Sequence, residues 1–219
     1  LGQNEEGGTA GGTIRVALLS GGNIEGARQQ LADDTYFDFE PVLVNSSQID
    51  TVEELSGYDA VVLGDYSTHG QLQAIAPALR AWVEAGGGVV GTGWLIYAAG
   101  SSTGSPIADI DAIIPVNTSV YYSYLYSPSV TITDGSHPVT DGVSNFSVSD
   151  YAEYSSGGAD SGALVLGTAN GRPMVVAGEP GTGRSVYLGP VYSLSHYSSG
   201  LQSGPADRLF EQAVAWAAC

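Results

Sequence analysis

Apolar residues in this chain come in short blocks of two kinds, and their alternation predicts an α/β order. Ile14–Leu19 (IRVALL), Ala60–Leu63 and the valines of Gly86–Gly100 (GGGVVGTGWLIYAAG) are apolar with little or no polar face. Such runs suit strands buried on both sides of a parallel sheet. Phe37–Val44 (FDFEPVLV) alternates before turning apolar and reads as a further strand. Between the strands, Ile24–Leu31 reads as a short helix and Val52–Leu55 as a helical turn. Gln71–Ala85 is amphipathic, with Leu72, Ile75, Leu79, Trp82 and Val83 on one face. Pro77 lies inside that span, so the helix is kinked there or begins there.

The stretch Gly86–Gly100 reads as turn, strand, glycine turn and the start of a helix over Trp94–Ala99. Strand–turn–helix units of this kind offer a nucleophile at the carboxyl edge of the sheet in many hydrolases. Here the tip is Thr92-Gly93-Trp94, with neither Ser nor Cys.

From Ser101 the pattern changes. An excursion over about 101–129 is rich in Ser, Pro and Tyr, with Tyr121, Tyr122, Tyr124 and Tyr126 close together. Beyond it the runs Val130–Thr133, Phe146–Val148, Ala163–Gly167, Pro173–Ala177 and Ser185–Leu188 read as strands between turn signals such as Asn170-Gly171 and Pro180-Gly181. The last two hairpins predict antiparallel additions to one sheet edge. Asp207–Ala218 closes the chain as a helix with Leu209, Phe210, Ala213, Val214 and Trp216 turned inward. The predicted class is α/β: a flavodoxin-like, open, mostly parallel sheet with helices on both faces and antiparallel additions in the C-terminal half. Residues 1–13 form an expected flexible Gly-rich leader and 14–219 a single domain. Beginning at Leu1 rather than Met, the chain is expected to be a processed product or an excised piece.

Composition narrows the partners. The chain has 219 residues, 43% of them hydrophobic, and a net charge of -17. Such a surface repels nucleic acid and anionic membranes. No apolar run approaches the ~18 residues of a membrane span. The single cysteine, Cys219, excludes an internal disulfide framework. A core of this size needs no metal to fold, and no cofactor is implied. Asn45-Ser46-Ser47, Asn117-Thr118-Ser119 and Asn145-Phe146-Ser147 match the glycosylation pattern, at a frequency that a Ser- and Thr-rich chain reaches by chance.

Leu79–Gly91 (LRAWVEAGGGVVG), Ser136–Val143 (SHPVTDGV), Asp150–Tyr154 (DYAEY), Gly183–Leu188 (GRSVYL) and Phe210–Ala218 follow one another in an order that resembles the ThuA-like, or trehalose-utilisation, family. That family belongs to the class I glutamine amidotransferase-like superfamily. The resemblance runs from about Ile14 to Ala218. It implies an open, mostly parallel sheet, and a link to sugar metabolism or to extracellular carbohydrate-active proteins. The chain departs from the pattern at two points. Amidotransferases carry a catalytic Cys at the elbow and ThuA-like proteins often a His, where this chain has Gly93. A second family His matches about Tyr192, with His196 a few residues later. Cys219 ends the final helix and is badly placed to substitute.

Candidate ligand-binding residues gather at the predicted strand ends. Ser20 and Asn23 follow the first strand, Asp65, Tyr66 and His69 the third, Thr92 and Trp94 the fourth, and Tyr192 and His196 a late one. Asp65, His69 and His196 form a set that suits a borderline metal, although loop spacing says little and no metal is expected. Ser20 and Thr92 are hydroxyls without an assigned base, so hydrogen bonds to turn backbone are their simpler role. Asp150 and Glu153 form a carboxylate pair that could serve acid–base work on sugars; the family resemblance implies instead a structural turn, with the acids capping neighbouring loops. Gly181-Thr182-Gly183 lacks the Lys and helix of a phosphate loop and reads as a hairpin turn. Tyr121, Tyr122, Tyr124 and Tyr126 form an expected interaction surface, with one face of the segment buried and the other presented.

The expected function is a non-catalytic, secreted or surface-exposed ThuA-like domain, extracellular or at the cell surface, that binds carbohydrate or protein. The alternatives are a sugar-acting enzyme using Asp65, His69 or His196, and a self-assembling extracellular structural subunit. Homo-oligomerisation is compatible with each.

Overall fold

In a computed structural model, residues 12–20, 24–65, 67–192 and 201–219 are described. The leader's residues 1–11 therefore lie outside the described residues. The first part of the chain alternates as its apolar blocks predict: β1 (Ile14–Leu19), α1 (Glu25–Leu31), β2 (Phe39–Val44), α2 (Val52–Leu55), β3 (Ala60–Leu63), α3 (His69–Glu84), β4 (Gly88–Thr92) and α4 (Leu95–Ala99). Then follow α5 (Ala108–Asp111), β5 (Ser123–Tyr126), β6 (Ser129–Ile132), β7 (Phe146–Ser147), β8 (Tyr151–Tyr154), β9 (Leu164–Ala169), β10 (Arg172–Gly178), β11 (Arg184–Leu188) and α6 (Gly204–Ala217).

Nine strands form one sheet in the order β2-β1-β3-β4-β11-β10-β9-β6-β7. The pairs from β2 to β11 are parallel, and those from β11 to β7 antiparallel. This is the expected α/β class, with antiparallel additions in the C-terminal half. Strand order reverses at β1/β3, so the crevice beyond the carboxyl ends of the strands is where such a sheet accepts ligands. Alternate residues feed two cores. Val16, Leu18 and Val62 pack with Leu209, Phe210 and Val214 of α6, while Ala17, Leu19 and Val61 pack with Leu72, Ile75 and Leu79 of α3.

Local chemistry explains the helix boundaries. Thr68 caps α3, accepting from the backbone N–H of Gln71 while the Gln71 side chain accepts from the N–H of Thr68. The helix therefore starts ahead of the predicted Gln71 and runs through Pro77 instead of beginning there. Trp216 is only half-buried, with the Arg184 guanidinium 5.2 Å from its ring centre.

The middle of the chain adds to the core and carries one correction, at DYAEY. The excursion supplies core: Ile107, Ile110, Ile113, Ile114 and Val116 are buried in the same cluster as the apolar face of α3. DYAEY forms no turn. Its Tyr151–Tyr154 is β8, which pairs antiparallel with β5 to make a separate two-stranded sheet.

Candidate functional site

The turn from β4 into α4 has its apex at the last residue of the Thr92-Gly93-Trp94 tip. Gly93 is not the left-handed residue. Trp94 is, with φ 71° and ψ 4°. A non-glycine residue there costs ~1 kcal/mol and persists only when its surroundings hold it. Gly93 is required for another reason. A Cβ on it would lie 2.6 Å from the Gly189 carbonyl oxygen and 2.7 Å from Val191 Cγ2. No Cys or His fits at that position without moving backbone. The elbow thus presents an indole where the strand–turn–helix units of many hydrolases present a nucleophile.

The start of α4 is occupied by the protein itself. Glu153 of β8 is fully buried. Its Oε2 accepts from the Ile96 N–H at 3.0 Å and from the Tyr187 hydroxyl at 3.0 Å, and its Oε1 accepts from the Tyr97 N–H at 2.8 Å. Burial pushes this carboxyl up to about 7, against the pull of those same donors. Backbone N–H groups at an elbow are the usual donors to an oxyanion. Here a carboxylate in cis already takes them.

Four tyrosines surround the indole. Ring centroids of Tyr97, Tyr122, Tyr124 and Tyr151 lie 5.7–6.5 Å from that of Trp94. Tyr126 extends the cluster through Tyr151, and Tyr121 through Tyr122. β5 and β8 bring these rings together because Tyr126 pairs with Tyr151 and Tyr124 with Glu153. Tyr121 and Tyr126 are 62% and 66% exposed, whereas Tyr122 is half-buried. The segment therefore has one packed side and one presented side.

Beside the cluster is a cleft of about 430 Å³, lined by Trp94, Tyr97 and Tyr122 together with Asp65, Ser67 and His69. Asp65 and Ser67 follow β3 and are buried. Ser67 Oγ has no hydrogen-bond partner among the described residues. His69 Nδ1 lies 3.0 Å from the Ala98 carbonyl oxygen, which ties the ring to α4.

Asp65, His69 and Trp94 thus share one cleft, as their strand-end positions suggest. Two other candidates are corrected. Thr92 is fully buried, its hydroxyl packed against Gly64 and the Leu63 carbonyl. Tyr192 is also fully buried, stacked on Phe210 and donating to the Ala206 carbonyl at 2.8 Å, because its ring fills the core under α6. Ser20 follows β1 and uses its carbonyl to accept from Gln71 Nε2. Asn23, Tyr66 and His196 lie outside the described residues. Asp150 and Glu153 do not act as a pair: Asp150 precedes β8 and accepts from the Ser127 N–H through its carbonyl, while the Glu153 side chain is enclosed. Sequence reading missed Ser67 and the role of Glu153. No local pattern marks Glu153, since β8 buries the adjacent Ala152 and Glu153 together.

The parallel sheet, its elbow and the helices on both faces define an α/β protein of flavodoxin-like fold. More particularly, the chain belongs to the family Domain of unknown function (DUF7408), whose profile matches residues 40–202. No curated protein matches the sequence. Among solved structures, a cytoplasmic protein from Salmonella typhimurium is similar, with a TM-score of 0.72 and 15% identity over 94% of this chain and 98% of the other. A ThuA-like protein from Bacteroides uniformis gives 0.64 and 16%, over 98% and 95% of the two chains. The PurLQS structure from Thermotoga maritima, which brings in the glutamine amidotransferase fold, gives 0.57 and 14%, over 93% and 98%. At these identities the likeness is one of fold. The extracellular or cell-surface location expected from the sequence is withdrawn, because the Salmonella protein is a cytoplasmic one.

Proposed function

We propose that this is a ThuA-like domain that binds carbohydrate through its tyrosine platform without transforming it. One observation carries the reading: Trp94 stands at the elbow apex inside a ring of tyrosines while Glu153 fills the donors at the start of α4. The missing nucleophile and the occupied donors speak against acyl chemistry. The exposed rings of Tyr121, Tyr124 and Tyr126 speak for binding, since phenol rings stack on sugar faces and carry a hydroxyl for hydrogen bonds. The net charge of -17 argues for a neutral ligand over an anionic one.

The test is a saccharide panel read by calorimetry, with the reaction mixtures analysed for products. Binding without turnover is expected, and Tyr124→Ser and Tyr126→Ser should abolish it with the melting temperature unchanged. Glutaminase or glycosidase turnover would refute the reading, as would a panel without a ligand.

A further inference from the structure

We infer that a second cavity, at the edge of the sheet opposite the elbow, binds a linear aliphatic diamine, a site separate from the platform and from the proposed carbohydrate binding. Strand register places it. Ser185 of β11 pairs with Val89 of β4 and with Gly178 at the end of β10, whereas the elbow follows Thr92 at the far end of β4. The cavity there is about 580 Å³, a size usual for small-molecule sites. Its lining joins Ser185 to Glu179 from the turn after β10, to Asp160 from the loop before β9, and to the apolar Ile114, Pro115 and Leu164.

The charge is of one sign. Asp160 and Glu179 are exposed, and neither carboxylate has a salt bridge or a side-chain hydrogen bond among the described residues. Partial burial and repulsion by the Asp111 carboxylate both raise the Asp160 pKa, and a bound cation offsets the repulsion. No Lys or Arg lines the cavity. The nearby Arg184 is engaged with Trp216, donating to its carbonyl at 3.1 Å and standing over its indole. His137, which also lines the cavity, accepts the Val139 N–H on Nδ1 at 3.2 Å, so its ring is neutral and adds no positive charge.

Ser185 is an independent pointer. It is 1% exposed, it lines the cavity, and no side-chain hydrogen bond joins it to another described residue. A buried hydroxyl of this kind calls for a partner, and an ammonium brings three donors. The apolar lining calls for methylenes, which an inorganic cation lacks. Among the described residues no three His, Cys, Asp or Glu side chains are placed to hold a metal ion. Two carboxylates from separate segments with apolar surface in the same cavity match an ammonium at each end of an alkyl chain.

The probes are 1,5-diaminopentane and 1-aminopentane, which share a chain and differ by one ammonium. By calorimetry on the whole chain, the diamine should bind about tenfold more tightly. Asp160→Asn and Glu179→Gln, both at exposed positions, should each weaken the diamine about fivefold at an unchanged melting temperature. Ser185→Ala should weaken it about twofold. Glu53→Gln, which removes an exposed acid of α2 outside the cavity, should leave diamine binding intact. That control separates a built site from the general pull of an acidic chain on cations. Equal affinity for the two amines would overturn the inference, as would a Glu53→Gln loss as large as those of the cavity variants, or no diamine binding at tens of millimolar. None of these results bears on the platform, which the saccharide panel tests separately.

Discussion

Glu153 at the elbow and Glu211 in α6 are both fully buried, and burial pushes each carboxyl up to about 7. They are held in opposite ways. Glu153 spreads three donors over its two oxygens. Glu211 takes the N–H groups of Tyr36 and Phe37 on Oε2 alone, and its Oε1 has no partner among the described residues. The same desolvation therefore has two consequences. At the elbow the carboxylate shapes a functional region, because its donors are the first amides of α4 and the hydroxyl of Tyr187 in β11. In α6 it joins one loop to one helix and leaves an oxygen unused.

The largest expected effect breaks the elbow. Glu153→Ala leaves three buried donors without an acceptor, at ~1–3 kcal/mol each. A loss of about 4 kcal/mol is expected in urea unfolding at pH 7. A loss below ~1 kcal/mol would show that water takes the place of the carboxylate.

Next comes pH. A carboxyl raised in the folded state contributes stability that is complete below its unfolded value near 4.5 and is lost as pH rises through about 7. The protein should therefore be more stable at pH 5 than at pH 8, by about 2.5 kcal/mol for Glu153 alone. Relief of repulsion in this acidic chain acts in the same direction, while His137, which burial holds below its ordinary value, acts against it. Urea midpoints at the two pH values measure the sum. Glu153→Gln and Glu211→Gln should each remove part of the difference, and a variant that keeps all of it identifies a group that does not titrate in this range.

The same pair of variants at pH 5, where both carboxyls are protonated, sharpens the contrast. An acid keeps an acceptor on both oxygens, whereas an amide keeps one. Glu153→Gln sets an NH2 group against a backbone N–H and should cost ~1–2 kcal/mol. Glu211→Gln retains the one oxygen in use and should cost under ~0.5 kcal/mol. The smallest effect is Tyr126→Ser, which should shift stability by less than ~0.5 kcal/mol because its ring is mostly exposed. A larger loss would move that ring from the platform to the core.

Much of the parallel sheet could be read from local pattern alone. β1, α2 and β3 occupy the predicted spans, since a run of β-branched and aliphatic residues between turn signals has one good use, burial on two faces. The apolar stripe of α3 was equally plain, because Leu72, Ile75, Leu79 and Val83 recur at the helical period. The tyrosine cluster could be located by composition, and Asp65, His69 and Trp94 by their positions after strands.

What tertiary structure decided was who meets whom. Glu153 reaches α4 across 57 residues, a distance over which no sequence period acts. The family resemblance implied a turn at DYAEY, and nothing local contradicted it, because the strand it pairs with, β5, lies far back in the chain and pairing partners of that separation leave no local mark. Thr92 and Tyr192 looked available by position and are sealed by packing, one against Gly64 and one against Phe210. At the elbow, Gly189 and Val191 leave no room for a Cβ at Gly93, a steric fact that exists only once β11 lies beside β4. Local sequence determined the elements and their faces, because those follow from the period of burial. The site was decided by contacts between elements, because the donors, rings and carboxylates that compose it come from segments that only the fold brings together.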